Sequence, residues 1–574
     1  MQVTDLKETL GATSLWRAVH RTLPVLAMFC AVAIVALTLH AMWLAYLPFP
    51  FWDQWFYITT PDYLDTLFEQ HNEHRLILFK LIGALDNELA QGTYRVNFAA
   101  SVLLQVLNAV MLIALGYQAG LRRWREQVWV AAIAFGFLFW IGQWENFFWG
   151  FQTQFFAVYA FGTLTFAMLA FSPSWWGAGF ACLAAALSVA SMSNGVIVAV
   201  LMPLLALVMR RPLAQTAAIA VTAAITIFAF LNGYYRVSHH SDPLQSLLRV
   251  REVTQYVLTF IGAPLGTLLA NALPSGWVKA INLAPAFGAL GVVGVSWSTF
   301  LLVSRAEART PARLALLFVI LFVGASSFVT ALGRIDFGFE QAMSSRYFTP
   351  SLILWTATLF LLWSLLKGSR LDLLVPLGAT ASVFLMVLTQ DLGTREAMKV
   401  VSSRNGAITA AMTRIYDKWE LAKVSPLEDL PRRIEILRQN GFAIFSQPWS
   451  GWLGTPLRDH VTFSPRFACQ GYVDTVTPVE NDTGQPGYRV VGWAWLAEPD
   501  GPAKRIIITD ETGTVTGYGF TDEARPDVKR AIPAVSDELV GWRGHATLPE
   551  GGSPRAYALL PDGRACPLHD EAGN

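Results

Sequence analysis

Apolar stretches of about twenty residues recur along the first two thirds of the chain, separated by short segments where polar residues gather. A helix of that length spans the roughly 30 Å of hydrocarbon in a bilayer. The first run covers 23–46, and others lie near 96–118, 127–142, 155–172, 177–193, 195–209 and 214–232. Four more follow near 284–303, 313–332, 351–366 and 372–390. A further run at 255–272 is interrupted by Gly262, Pro264 and Gly266. No small-residue cleavage site follows the first run, so it reads as an anchor and not as a removed signal.

The basic residues then set the orientation. Arg17 and Arg21, Arg122/Arg123/Arg125, Arg210/Arg211, Arg305/Arg309/Arg313 and Lys367/Arg370 fall in the short segments between runs. All are cytoplasmic in one consistent topology, provided that the 255–272 run does not cross and is re-entrant or interfacial. The pattern therefore predicts an α-helical polytopic membrane protein of about 11 spans in a bacterial inner membrane, with the N-terminus inside and the C-terminus outside. Loops 49–95, 143–154, 233–283 and 333–350 share the periplasmic face with the tail.

From about Asp391 the text changes. Residues 391–466 read as a charged, helical and irregular connector, and residues 467–574 alternate apolar and polar positions between Gly, Pro and Asp turns. That alternation predicts a periplasmic β-sandwich of about 100 residues. Residues 1–390 form the membrane domain. Cys469 and Cys566 bracket the β segment, where a disulfide is expected outside the cytoplasm. Cys30 and Cys182 lie inside apolar runs and read as small hydrophobes. No Cys/His spacing suggests a metal site, so no metal ligands are assigned.

Composition agrees with lipid as the solvent for much of the chain: 54% of residues are hydrophobic and 14% charged, against roughly 25% charged in soluble domains. The net charge of +1 gives no field suited to nucleic acid. The 21 Trp and 37 Phe exceed what spans need; interfacial belts and sugar-stacking surfaces are their two uses.

The polar clusters of the outer loops carry the candidate chemistry. Asp53 follows the first run directly, between Trp52 and Trp55, where partial desolvation would raise a carboxylate toward general-base strength. His71-Asn72-Glu73-His74-Arg75, followed by Lys80, packs imidazoles, a carboxylate and cations together. On a helix, His71, His74 and Arg75 would share one face and suit a phosphate. The same set, with Asp53, has the donors for a divalent ion, although no cofactor is assigned. The segment from Gln143 to Gln154 interleaves Trp144, Trp149 and other aromatics with Glu145, Gln152 and further amides, the makings of a sugar site or of an interfacial belt. Arg346 and Tyr347 precede a run, and Arg346 is placed to meet a lipid phosphate. Ser193-Asn194-Gly195 reads as a tight structural turn. Arg236, His239 and His240 are weaker candidates. In the tail, Trp493, Trp495 and Trp542 either grip a glycan or pack a core.

An Asp just after the first span in Trp52-Asp53-Gln54-Trp55, charged residues before the second, and a folded tail together resemble the GT-C superfamily of membrane glycosyltransferases, over the topology of residues 1–390. The β-rich tail is similar in placement to the carbohydrate-binding domains of bacterial arabinofuranosyltransferases. The resemblance implies a polyprenyl-phosphate-linked sugar as donor and a cell-envelope glycan, lipid or protein as acceptor. It implies Asp53 as base, with Arg346, Arg75, His74 and Lys80 neutralising the leaving phosphate. Trp52, Trp55, Glu73, Trp144, Glu145, Trp149, Gln152 and Tyr347 would contact sugar or acceptor, and single displacement would invert the anomeric centre. Two alternatives stand beside it: an O-antigen ligase or polymerase type of enzyme using a pyrophosphate-linked glycan, and a non-enzymatic polyprenyl-lipid transporter. No P-loop or Rossmann fingerprint suggests a nucleotide.

Overall fold

The computed structural model describes residues 3–57, 66–237, 241–274, 276–464, 469–480, 486–498, 500–549 and 551–568, with side chains from Thr22 onward. The chain is mostly helical and ends in an antiparallel sheet. It divides into two compact units: Met1–Trp43, Leu64–Ile82 and Asn97–Thr394 form the first, and Leu44–Tyr63, Gly83–Val96 and Arg395–Asn574 the second. His239 and His240 lie outside the described residues.

Among the described residues, nine helices are long and apolar enough to cross a bilayer, and a tenth candidate is the bent pair Leu374–Leu388 and Asp391–Thr413. This is a multi-pass membrane protein. Hydrogen bonds and ion pairs fix which helix ends meet in the first unit. Glu73 pairs with Arg334, His74 meets Ser193, and Glu145 accepts from Ser345 at one end. Lys367 pairs with Glu126, Arg313 donates to the Ser364 carbonyl, and Arg211 donates to the Ser172 carbonyl at the other. Arg122–Arg125, Arg210–Arg211, Arg305–Arg313 and Lys367–Arg370 thus gather at the Lys367 end, as the charge pattern requires.

The 255–272 run is not broken. It continues through Pro264 as the helix Val250–Ala272, long enough to span. Small residues explain how it packs. A Cβ on Gly262 would lie 1.9 Å from the Ala284 carbonyl oxygen, and one on Gly288 1.9 Å from that of Leu258. The helix and its successor Ala280–Ser304 therefore approach backbone to backbone as an antiparallel hairpin, the small-residue mode of membrane helix pairing. Arg249 pairs with Asp336 at the Glu73 end, whereas the Leu302 carbonyl accepts from Arg309 at the Lys367 end. Both helices are long and apolar enough to span, so the run expected not to cross is itself one of the nine candidates. Val253, Tyr256 and Phe260 pack on Ile335, Ala342 and Tyr347 at the Glu73 end. Gly291 and Gly294 run beside Trp355 and Thr358. Trp175–Ser191 and Gly195–Val208 are shorter apolar helices, so among the described residues nine to ten candidates stand against the eleven spans expected.

Polar side chains inside the unit bond to one another. Gln105 and Gln143 both donate to the Leu138 carbonyl, Thr349 donates to Gln143 Oε1, and Asn146 donates to Thr349 and to the Arg346 carbonyl. Gln390 donates to the Ile34 carbonyl and to Thr38, locking the first helix in place.

In the second unit, strands β1 (Cys469–Val479), β2 (Gly487–Leu496), β3 (Gly501–Pro502), β4 (Arg505–Thr509), β5 (Val515–Glu523), β6 (Gly541–Thr547), β7 (Arg555–Leu559) and β8 (Ala565–Pro567) form one sheet of order β1-β2-β6-β5-β4-β7-β8, with β3 on β2. The two layers expected of a sandwich are joined in this continuous sheet, folded over one core of Val490, Leu496, Ile506, Ile508, Trp542 and Ala558. The Cys469–Cys566 disulfide, Cα–Cα 6.2 Å, ties its first strand to its last. Trp495 and Trp542 are buried and Trp493 packs beside Val528 and Val540, so these indoles are core.

The connector is cemented to this sheet by buried polar groups. Asn405 donates to Asp522, Thr409 meets His545 Nδ1 at 2.8 Å, and Asp417 accepts from Arg489 at 2.6 Å and faces His545 Nε2 at 3.2 Å. Burial pushes the Asp522 carboxyl up to about 6, against the opposing pull of Arg543. Hydrogen bonds from His545 and Arg489 outweigh burial at Asp417 and hold it well below the ordinary carboxylate range.

Two measurements test this architecture. Gly262→Ala and Gly288→Ala should each destabilise the detergent-solubilised chain by on the order of 1–3 kcal/mol or more through overpacking, whereas Gly324→Ala, which meets nothing within 4 Å, should leave thermal unfolding unchanged. The second concerns Asp522, whose folded pKa lies above its unfolded value. The ionised form is therefore penalised by the fold, fully above pH 6 and progressively less as pH falls toward about 4. Stability should rise on acidification through that window, with a slope of at most about 1.4 kcal/mol per pH unit. The difference between wild type and Asp522→Asn, followed by thermal unfolding from pH 7.5 to 4, isolates this component.

Candidate functional site

His71-Asn72-Glu73-His74 is a turn and not the helix that its spacing suggested. The His71 and His74 amides and carbonyls bond reciprocally at 2.7 and 2.9 Å. Asn72 takes the left-handed conformation, φ 50°, that a two-residue turn demands and that Asn tolerates. Neighbouring side chains consequently diverge. His71 packs edge-on to Phe151. Glu73 meets the Arg334 guanidinium at 2.7 Å. His74 Nδ1 lies 2.8 Å from Ser193 Oγ and accepts from the Ser193 N–H at 3.4 Å, which leaves its other nitrogen facing Glu73 at 3.7 Å.

The two cations expected to bind phosphate from this segment are spent on the backbone. Arg75 donates to the carbonyls of Phe68, Phe230 and Asn232. Phe230 lies in the last turn of helix Leu213–Leu231, where carbonyls lack helical partners. Lys80, 1% exposed, donates to the carbonyls of Thr66 and Glu69. Burial draws its ammonium down to about 8. Both residues hold the turn in place and leave Glu73 and Arg334 as its chemical face.

That face opens on a cavity of about 550 Å³. Val196, Ile197, Phe230, Leu231, Val329 and Leu332 give it apolar walls, and Glu73, Ser193, Asn194, Tyr234, Arg236 and Arg334 supply its polar groups. Arg236 also pairs with Asp242 at 3.0 Å. An apolar-walled space that carries an acid–guanidinium pair can hold a hydrocarbon chain with an anionic head. Arg334, Ser193, Asn194 and Tyr234 were not singled out as site residues by sequence. Ser193-Asn194 read as a structural turn, and nothing in the sequence links position 73 to a partner 261 residues away.

The aromatic loop is a structural element at the same end. Glu145 accepts from Ser344, Ser345 and the Arg346 amide and so anchors the segment before helix Phe348–Leu366. Gln152 is buried, and Trp144 and Trp149 are half-buried against Phe148 and Phe151. Tyr347 is buried against Phe260, and the Arg346 guanidinium lies 5.6 Å from the Tyr347 ring centroid.

Asp53 belongs to the second unit, on the one-and-a-half-turn helix Trp52–Phe56. This short helix is clamped from several sides. The Trp52 amide donates to the Val424 carbonyl, Gln54 accepts from the Phe51 amide, and Arg433 donates to the Trp55 carbonyl. Trp55 is fully buried against Phe49, whereas Trp52 is exposed with φ 48°, a strained value for an indole-bearing residue. Among the described residues no three His, Cys, Asp or Glu converge as metal ligands.

No protein family and no curated protein matches the sequence. Among solved structures, the Archaeoglobus fulgidus oligosaccharyltransferase complexed with zinc and sulfate is similar at 13% identity over 65% of this chain and 53% of that one, with a TM-score of 0.33. The archaeal oligosaccharyltransferase AglB from Archaeoglobus fulgidus, in complex with an inhibitory peptide and a dolichol-phosphate, is similar at 14% identity over 77% of this chain and 66% of that one, with a TM-score of 0.34. The chain spans between about half and two thirds of the length of these proteins.

Proposed function

We propose that the chain is an inverting glycosyltransferase of GT-C type, moving a sugar from a polyprenyl-phosphate donor to a cell-envelope glycan, lipid or protein on the periplasmic face. The observation that carries this reading is the apolar cavity ending on Glu73 and Arg334, at the end of the helical unit opposite the basic loops. By the positive-inside rule the basic end is cytoplasmic, so the cavity end faces outward. The prenyl chain lies along Ile197, Phe230 and Val329. Arg334 meets the phosphate as its negative charge grows, and Glu73 and His74 hold the guanidinium ready. Arg346 adds a second cation. In the second unit, Asp53 is the base for the acceptor hydroxyl, and its exposed neighbour Trp52 offers an indole face for a sugar. Arg75 and Lys80 take a positioning role.

Arg236 at the cavity rim supports a second reading, in which two cations hold the pyrophosphate of a lipid-linked glycan.

Asp53→Asn should retain the wild-type melting temperature and lose transfer by a factor of about 10³ or more, the contribution typical of a general base and its electrostatics. Transfer near the wild-type rate would overturn the assignment of the base. Arg334→Gln should weaken binding of a short-chain prenyl phosphate about tenfold or more, measured by fluorescence titration. Unchanged binding would overturn the cavity as the donor site. Tighter binding of prenyl pyrophosphate, lost in Arg236→Gln, would select the second reading.

A further inference from the structure

A guanidinium withdrawn from water is stable only when an anion or hydrogen-bond acceptors surround it. Arg404 in the second unit breaks that expectation. It is 5% exposed. Among the described residues its side chain has no ion pair or hydrogen-bond partner, and its Nε is buried without an acceptor. Its one close feature is the face of Phe51, whose centroid lies 3.7 Å from the guanidinium carbon. A stack of that kind holds the plane of the guanidinium and leaves its N–H edge pointing elsewhere.

The carboxylates of the same unit do not fill the role. Glu420 packs so closely on Gly406 that a Cβ there would sit 2.1 Å from its oxygen, yet Glu420 pairs with Lys423 at 2.8 Å. Asp417 is held by Arg489 and His545. Asp522 is held by Asn405 and Arg543. Every other buried charge of this cluster has its counter-charge, and Arg404 is left over. Phe51 begins the clamped segment that carries Trp52 and Asp53.

We propose that Arg404 is an anion-binding residue, and that its guanidinium, held flat by Phe51, takes the oxyanion of a bound phosphate or carboxylate beside the Asp53 segment. The inference rests on burial and missing partners and stands whether or not Asp53 is a base. If Asp53 is the base, the ligand is an acidic group on the acceptor.

The test uses the full chain in detergent at constant ionic strength, melted with sodium chloride alone and with inorganic phosphate, a short-chain prenyl phosphate or glucuronate. The expected result is a saturable rise of roughly 3 °C or more with at least one of the oxyanions, lost in Arg404→Met. In the absence of oxyanion, Arg404→Met should melt at or above the wild-type temperature, because it removes an uncompensated buried charge. Protection by the two phosphates alone identifies a phosphate as the ligand; protection by glucuronate identifies a carboxylate. A wild type unmoved by all three oxyanions overturns the proposal. So does an Arg404→Met variant that melts lower while keeping its response, since that is the signature of a packing role. Asp53→Asn keeps the response, so loss of transfer in that variant and loss of the anion site are separate outcomes.

Discussion

A polar group immersed in hydrocarbon has no water to turn to, and the first unit is arranged around that restriction. A set of its buried amides and hydroxyls bonds within the bundle, from Gln105 through Gln143 to Thr349 and Asn146, and so ties neighbouring helices together. Its charges are expelled to the two ends. One end collects arginines and lysines that cap carbonyls or pair with Glu126. The other collects acids with their partners, including Glu73 with Arg334. The cavity at this second end is where apolar walls and the Glu73–Arg334 pair come together.

The same restriction explains why cations are poor guides to function in such a chain. Arg75, Lys80, Arg211 and Arg313 all donate to main-chain carbonyls, most of them at helix ends or in adjoining turns. Arginine suits this use because its planar fork reaches several acceptors at once. A basic residue in an outer loop is therefore first a capping device, and its availability to a ligand depends on whether the backbone has already claimed it.

The broad architecture was legible because it rests on composition over long windows. Runs of twenty apolar residues, basic segments between them, and strand alternation after position 467 each average over many side chains. The expected count of eleven spans rested on reading Gly262, Pro264 and Gly266 as a break, whereas the helix runs on through them and the two glycines admit a second backbone. The candidate site was legible only in part. His71 to Arg75 was recognisable as a polar cluster, but a helical spacing was assumed where the left-handed Asn72 makes a turn, and that inverted which side chains share a face. The Gln143–Gln154 amides looked ready for sugar hydroxyls, and several serve helix packing. Arg334 could not be paired with Glu73 from sequence, since long-range pairing is decided by the bundle and leaves no local trace. Arg404 stood in a stretch read only as a charged helical connector, and its burial comes from tertiary packing.

The disulfide between Cys469 and Cys566 joins the two outermost members of the strand order, so it acts as a clasp and not as an internal brace. Proteolysis at any single peptide bond between those cysteines releases no fragment: both pieces stay covalently linked, and the folded sheet can remain intact. Shedding of this region from the membrane therefore requires cleavage upstream of position 469, in the connector, or reduction of the bond first.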